Sequence, residues 1–116
     1  MKTPHDPRHQ KRKHLIEELF KRDFLSQPIH ENAAVIFARH EELDAKIRKI
    51  APEFPIEKIN KIDLAILRLA VYELIFEKKE PPRVVVDEAI ELAKEYGNDS
   101  SAAFVNGALG KMVTHE

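Results

Sequence analysis

No cysteine occurs in the 116 residues. This excludes a disulfide framework, a thiolate metal site and a cysteine nucleophile, and it suits a reducing compartment. Glycine is scarce, with three in all, none of them near a strand-to-helix turn. Neither G-x-x-x-x-G-K-[ST] nor G-x-G-x-x-G is present, so a phosphate-cradling loop is excluded. The basic opening MKTPHDPRHQKRKH is not followed by the apolar run that a secretory signal needs, and a cytoplasmic location is expected. Nor is any long apolar stretch free of charge. The longest, INKIDLAILRLAVYELIF at 59–76, has the length to reach across a bilayer, but Lys61, Asp63, Arg68 and Glu73 inside it make that costly. No membrane partner is expected.

What is present is mainly helical periodicity. Placed on a helix, the apolar side chains of 59–76 (Ile62, Ala65, Ile66, Leu67, Leu69, Ala70, Val71, Leu74, Ile75 and Phe76) leave no wide polar face. Lys61, Arg68 and Tyr72 fall on one narrow stripe. A helix of this kind must be wrapped by others, so 59–76 is predicted to be the central helix of an all-α bundle of five to six helices. Ahead of it, Asp6 and Pro7 read as an N-cap and a first helical residue, followed by Leu15, Ile16, Leu19 and Phe20 at helical spacing. Pro28 marks a turn. Residues 31–50 are helical again, as one helix or as two broken near Arg39 and His40, until Pro52 and Pro55 end the pattern. Residues 56–60 form a short helical piece or turn.

Beyond the central helix, Pro81 and Pro82 stop the chain. Residues 83–96 then give an amphipathic helix, with Val85, Val86, Ala89, Ile90 and Ala93 inward and Glu88, Glu91, Lys94 and Glu95 mostly outward. Gly97 follows its end. Asp99, Ser100 or Ser101 caps a last helix with Phe104, Val105, Ala108, Leu109 and Met112 inside, in which Gly107 and Gly110 are expected to allow close helix approach. The predicted organisation is one domain over 1–116: a flexible start at 1–7, amino-terminal helices at 8–54 and carboxy-terminal helices at 55–116.

Catalysis finds no foothold. His40-Glu41-Glu42-Leu43-Asp44 begins like H-E-x-x-H, but Asp44 replaces the second imidazole, and the pattern reads as a solvated helix face. Ser100 and Ser101 have no G-x-S-x-G around them and no histidine nearby. Asn106-Gly107 sits inside a helical period rather than between strands. No metal and no cofactor is expected.

Charge is the informative feature. The chain is −1 overall, yet residues 1–22 hold seven lysines or arginines against three acids, a net +4 that leaves −5 for the rest. Arg8, Lys11, Arg12 and Lys13, with His9 and His14, form RHQKRKH without one acid. Positive charge near a helix N-terminus opposes the dipole, so the patch invites a functional reading as a phosphate-binding arm. Arg8, Lys11 and Arg12 share an angular stripe with Leu15 and Leu19. The first two turns are therefore expected to project beyond the core.

LAILRLAVYELIF, then EPPRVVVDEAIELAKEYG, then SSAAFVNGALGK, in this order, closely resemble the NusB family of transcription antitermination factors over about 59–112. The arm at 8–20 and the stretch Glu42-Leu43-Asp44-Ala45-Lys46-Ile47 resemble it more loosely. The chain is shorter than the family pattern between Phe24 and Ala38, where a helix is expected to be missing. The resemblance implies an all-helical, non-enzymatic protein of two subdomains. It implies binding, together with NusE (a small-subunit ribosomal protein), to boxA-type single-stranded RNA in ribosomal operon leaders, within the RNA polymerase antitermination complex. Arg8, Lys11, Arg12 and Lys13 match the basic first helix that contacts RNA. Tyr96, Ser100 and Phe104 match a second RNA-facing region, and Asp63 matches an acidic position facing NusE. A homodimer through the RNA-facing side is a further implication. Four phosphate contacts would give a salt slope near roughly −3 for a single strand. Two alternatives accompany this reading. One is a helical protein-binding module with little RNA affinity. The other is a detached RNA-binding domain like that of rRNA cytosine methyltransferases.

Overall fold

The central segment folds as predicted and dictates where everything else sits. In the computed structural model, which describes residues 6–113, it forms α4 (Lys61–Tyr72), continued by a π-helical turn at Glu73–Glu77. Asn60 caps α4, its side chain accepting from the Ile62 and Asp63 N–H groups. Every residue from Leu64 to Val71 is buried, Arg68 included. Around α4 pack α1 (Pro7–Leu25), α2 (Glu31–Phe37), α3 (His40–Ile50), α5 (Pro82–Tyr96) and α6 (Ser101–Val113). One apolar cluster draws on all six helices. Each of its fully buried leucines and isoleucines contributes about 1.5–3 kcal/mol relative to exposure. There is no strand among the described residues. Residues 1–5 of the expected flexible start lie outside them, while Asp6 and Pro7 open α1 as the capping pattern predicts.

Three local expectations are corrected. The helix expected to be missing between Phe24 and Ala38 is present as α2, seven residues long, after a loop that starts at Ser26 in the left-handed region (φ 56°). It is separate from α3: Ala38 and Arg39 break the period, and the His40 ring turns back to the Phe37 carbonyl at 2.9 Å and stacks on the Phe37 ring. Gly107 and Gly110 do not mediate close approach, since a Cβ at either would meet nothing within 4 Å. The glycine that does so is Gly97. A Cβ there would stand 2.3 Å from Ser101 Oγ and 2.8 Å from the Ala93 carbonyl, which is how α5 turns directly into α6.

Third, Glu88 is not outward. It is buried, because position 88 lies one turn from both Val85 and Leu92 and so on the packed face of α5. The polar stripe of α4 is likewise enclosed. Arg68 makes a two-pronged pair with Asp44 (2.9 and 2.9 Å). Asp23 Oδ2 stands 3.5 Å from Arg68 and 3.3 Å from Lys61, an electrostatic contact without an aligned hydrogen bond.

Candidate nucleic-acid interface

Helix α1 begins because Asp6 accepts from the Arg8 N–H at 2.8 Å and Pro7 supplies a preset φ. The Arg8 side chain folds back on the same carboxylate and holds its pKa below the usual aspartate range. From there the basic patch divides between two faces. His9, Arg12 and Lys13 turn toward acids on α5 and the π turn; His14 is exposed on the other side, and the exposed Lys11 stands at the boundary, bordering a recess with Glu73, Glu77 and Glu80 as well.

The inward face corrects the expectation of a projecting arm. Arg12 is buried, its guanidinium forked on Glu73 at 2.8 and 2.7 Å, with Glu88 at 3.6 Å. His9 is buried between two carboxylates, Nδ1 2.8 Å from Glu88 and Nε2 2.6 Å from Glu95. A neutral imidazole has one N–H, so carboxylates at both nitrogens select the doubly protonated ring. The hydrogen bond to Glu88, then that to Glu95, raises the His9 pKa against the opposing effect of burial. Lys13 reaches Glu95 at 3.4 Å. A basic residue is buried here because counter-charges meet it. The acids that do so lie 61, 79 and 86 residues away in sequence.

Of the other expected RNA residues, Arg8 is 65 % exposed and leans on Asp6 (3.3 Å) and Glu80 (3.4 Å). Lys11 is exposed and makes no ion pair among the described residues. Tyr96 is half-buried, its hydroxyl donating to Glu17 of α1 at 2.5 Å, which ties the end of α5 to the basic helix.

Ser100, Phe104 and Asp63 come together elsewhere. They line a groove of about 470 Å³ with Phe54, Lys58, Asn60 and Asn98 among its walls. Phe104 is half-buried and meets the exposed Phe54 edge-on at 5.5 Å. The Ser100 hydroxyl donates to the Asn98 side chain at 2.9 Å, so Asn98, rather than Asp99, organises the start of α6. Asp63 is only 5 % exposed, and its Oδ1 has no hydrogen-bond partner. Burial pushes its pKa up, with the Ser101 hydroxyl offsetting part of that. A buried carboxylate oxygen left unmatched costs about 1–3 kcal/mol.

The residues that sequence reasoning missed are Glu73, Glu88 and Glu95 as partners of the arm, and Phe54 as the second aromatic wall. Glu88 was detectable as an acid on an apolar face. Phe54, between two prolines, carried no periodic signal. No group of three or more histidine, cysteine, aspartate or glutamate side chains among the described residues is arranged to hold a metal ion. No described helix is long and apolar enough to cross a membrane.

Comparison with known proteins adds the following. A family model described as "NusB family" matches residues 5–114. A transcription antitermination protein NusB of Clostridium botulinum (strain Loch Maree / Type A3) is 55 % identical over 73 residues, 63 % of this chain and 52 % of that protein. The chain thus spans about half the length of the Clostridium botulinum relatives it matches. The NusB of Chloroflexus aggregans is 37 % identical over 111 residues, 87 % of this chain and 74 % of that protein. Among solved structures, T. maritima NusB superposes with a TM-score of 0.81 at 30 % identity, covering 100 % of this chain and 94 % of that one. A structure of antitermination factors NusB and NusE in complex with dsRNA matches with a TM-score of 0.77 at 23 % identity, covering 96 % of this chain and 100 % of that one, a likeness of fold.

Proposed function

We propose, from the premise that this chain belongs to the NusB family, that it is a non-catalytic RNA-binding factor of transcription antitermination. It takes boxA-type single-stranded RNA of ribosomal operon leaders on the α1 side. It takes NusE at the groove of Asp63 and Phe104, within the RNA polymerase antitermination complex in the cytoplasm. The observation that carries this reading is the unmatched Asp63 Oδ1 at an aromatic-walled groove. Such a carboxylate is completed by an incoming N–H or cationic donor, which a protein partner supplies. The cations of α1 provide the phosphate contacts, and Tyr96, tied to α1 through Glu17, provides stacking surface for a single strand. Ser100 and Phe104, expected to face RNA, line the groove given to NusE instead.

The enclosure of Arg12 redistributes the roles. Arg12 holds α1 in place, and Arg8, Lys11 and Lys13 meet phosphates. The salt slope falls accordingly from near −3 to about −2.

The test is co-purification of NusE and a boxA-type RNA with the parent chain, with Asp63→Asn, and with the triple variant Arg8→Ala, Lys11→Ala, Lys13→Ala. Asp63→Asn should lose NusE and the triple variant should lose RNA. RNA recovery equal to the parent from the triple variant would refute the RNA assignment. That result would favour the second reading, a partner-binding module with little RNA affinity, for which the neutralisation of Arg12 and Lys13 by acids of the same chain is the supporting observation.

A further inference from the structure

The four cations in the first two turns of α1 are not equivalent, and the difference indicates a route for the RNA. Arg12 is consumed by Glu73, Lys13 is tied to Glu95, and Arg8 is shared between Asp6 and Glu80. The α5 side of α1 is also acidic beyond these pairs, with Asp87 and Glu91 beside Glu88 on the same recess. A polyanion approaching there meets carboxylates. On the opposite side, α1 and α2 enclose a groove of about 510 Å³ lined by Gln10, Lys11, His14, His30 and Asn32 among others. Its one acid is Glu18, already engaged by Lys21 at 3.1 Å and by the His30 backbone N–H at 2.8 Å, contacts that hold its pKa down. Lys11 and His14 are exposed and stand one helical turn apart on the same wall.

We infer that the single-stranded RNA runs through this groove between α1 and α2, with its phosphates on Lys11 and His14 and the amide side chain of Asn32 facing its bases. The inference rests on the RNA-binding reading above and gives that reading a place. Helix α2, the element expected to be absent, becomes the second wall of the site. The groove carries cationic and imidazole donors and an acid already in use. It is therefore complementary to a phosphodiester chain, where the α5 side is not.

The experiment is a fluorescence-anisotropy titration of a labelled boxA-type single strand, with NusE present, over a series of KCl concentrations. It compares the parent with the double variant Lys11→Ala, His14→Ala, and with Lys13→Ala and Arg8→Ala singly. All four side chains are at least partly exposed, and a circular-dichroism melt confirms that each variant is folded. The double variant should bind about tenfold more weakly, the value expected for one lost charge-assisted contact or more. Its log–log salt slope should be shallower by about 0.7 for each phosphate released. Lys13→Ala and Arg8→Ala should each weaken binding less than the double variant does, because Lys13 is shared with Glu95 and Arg8 with Asp6 and Glu80. Parent binding with an unaltered double variant, or a larger loss from Lys13→Ala or Arg8→Ala than from the double variant, would overturn the groove and leave RNA binding standing. No RNA binding by the parent would overturn both.

Discussion

At the scale of single residues, the decisive feature is a chain of opposite charges, buried at His9, Arg12, Glu73 and Glu88, joining α1 to α5 and the π turn. His9 faces Glu88 and Glu95 from α5, with Arg12 and Lys13 beside it on its own helix. Its folded pKa is raised from 6.5, first by the Glu88 hydrogen bond. The stability it contributes is therefore complete below about pH 6.5 and is lost as pH rises through the higher folded value. Urea unfolding measured from pH 6 to 9 should show the unfolding free energy falling with pH in the parent. In His9→Gln this part of the slope should vanish. Arg12→Ala leaves Glu73 buried without its cation and should cost about 3–5 kcal/mol. For a chain of this size that is a drop in Tm of at least about 10 °C. Arg68→Ala, which strands Asp44, should fall in the same range.

At the scale of elements, the turn from α5 into α6 and the middle of α6 respond oppositely to the same substitution. Gly97→Ala places a methyl group against Ser101 and the Ala93 carbonyl, backbone that cannot yield. It should destabilise by about 1–3 kcal/mol. Gly107→Ala enters open space on a helix and should stabilise by up to about 1 kcal/mol, read from thermal melts of both variants. How far these elements were legible depends on what sets them. The span of α4 followed from an apolar pattern with no polar face. The start of α1 followed from Asp6 and Pro7, and the start of α5 from the Pro81-Pro82 pair, because these are local effects of backbone geometry. The roles of Gly97, Gly107 and Glu88 depend on which helix lies opposite, and periodicity is silent about that. The same holds for the site. The cations of α1 and the acid at 63 could be found by residue type, but which cations remain available is decided by Glu73 and Glu95, brought in by tertiary packing.

At the scale of the whole molecule, the charge asymmetry along the sequence largely cancels in space. The basic end is laid against acids of the carboxy-terminal half, leaving one exposed strip of α1 beside α2 and an aromatic groove at the start of α6. The two surfaces share no lining residue, so damage to one should spare the other. Isothermal titration with NusE should give the same Kd for the parent and for Lys11→Ala, His14→Ala. RNA binding in the absence of NusE should likewise be unchanged by Asp63→Asn.

The pairing of His9 and Arg12 with Glu73, Glu88 and Glu95 also orders events during synthesis. The first helix leaves the ribosome tens of residues before its counter-ions exist, and at roughly 5–20 residues per second that interval lasts several seconds. Throughout it the nascent amino-terminal end is an uncompensated polycation beside ribosomal RNA. Only the arrival of the fifth helix closes the circuit, so native docking of the first helix waits on a segment made some sixty to ninety residues later.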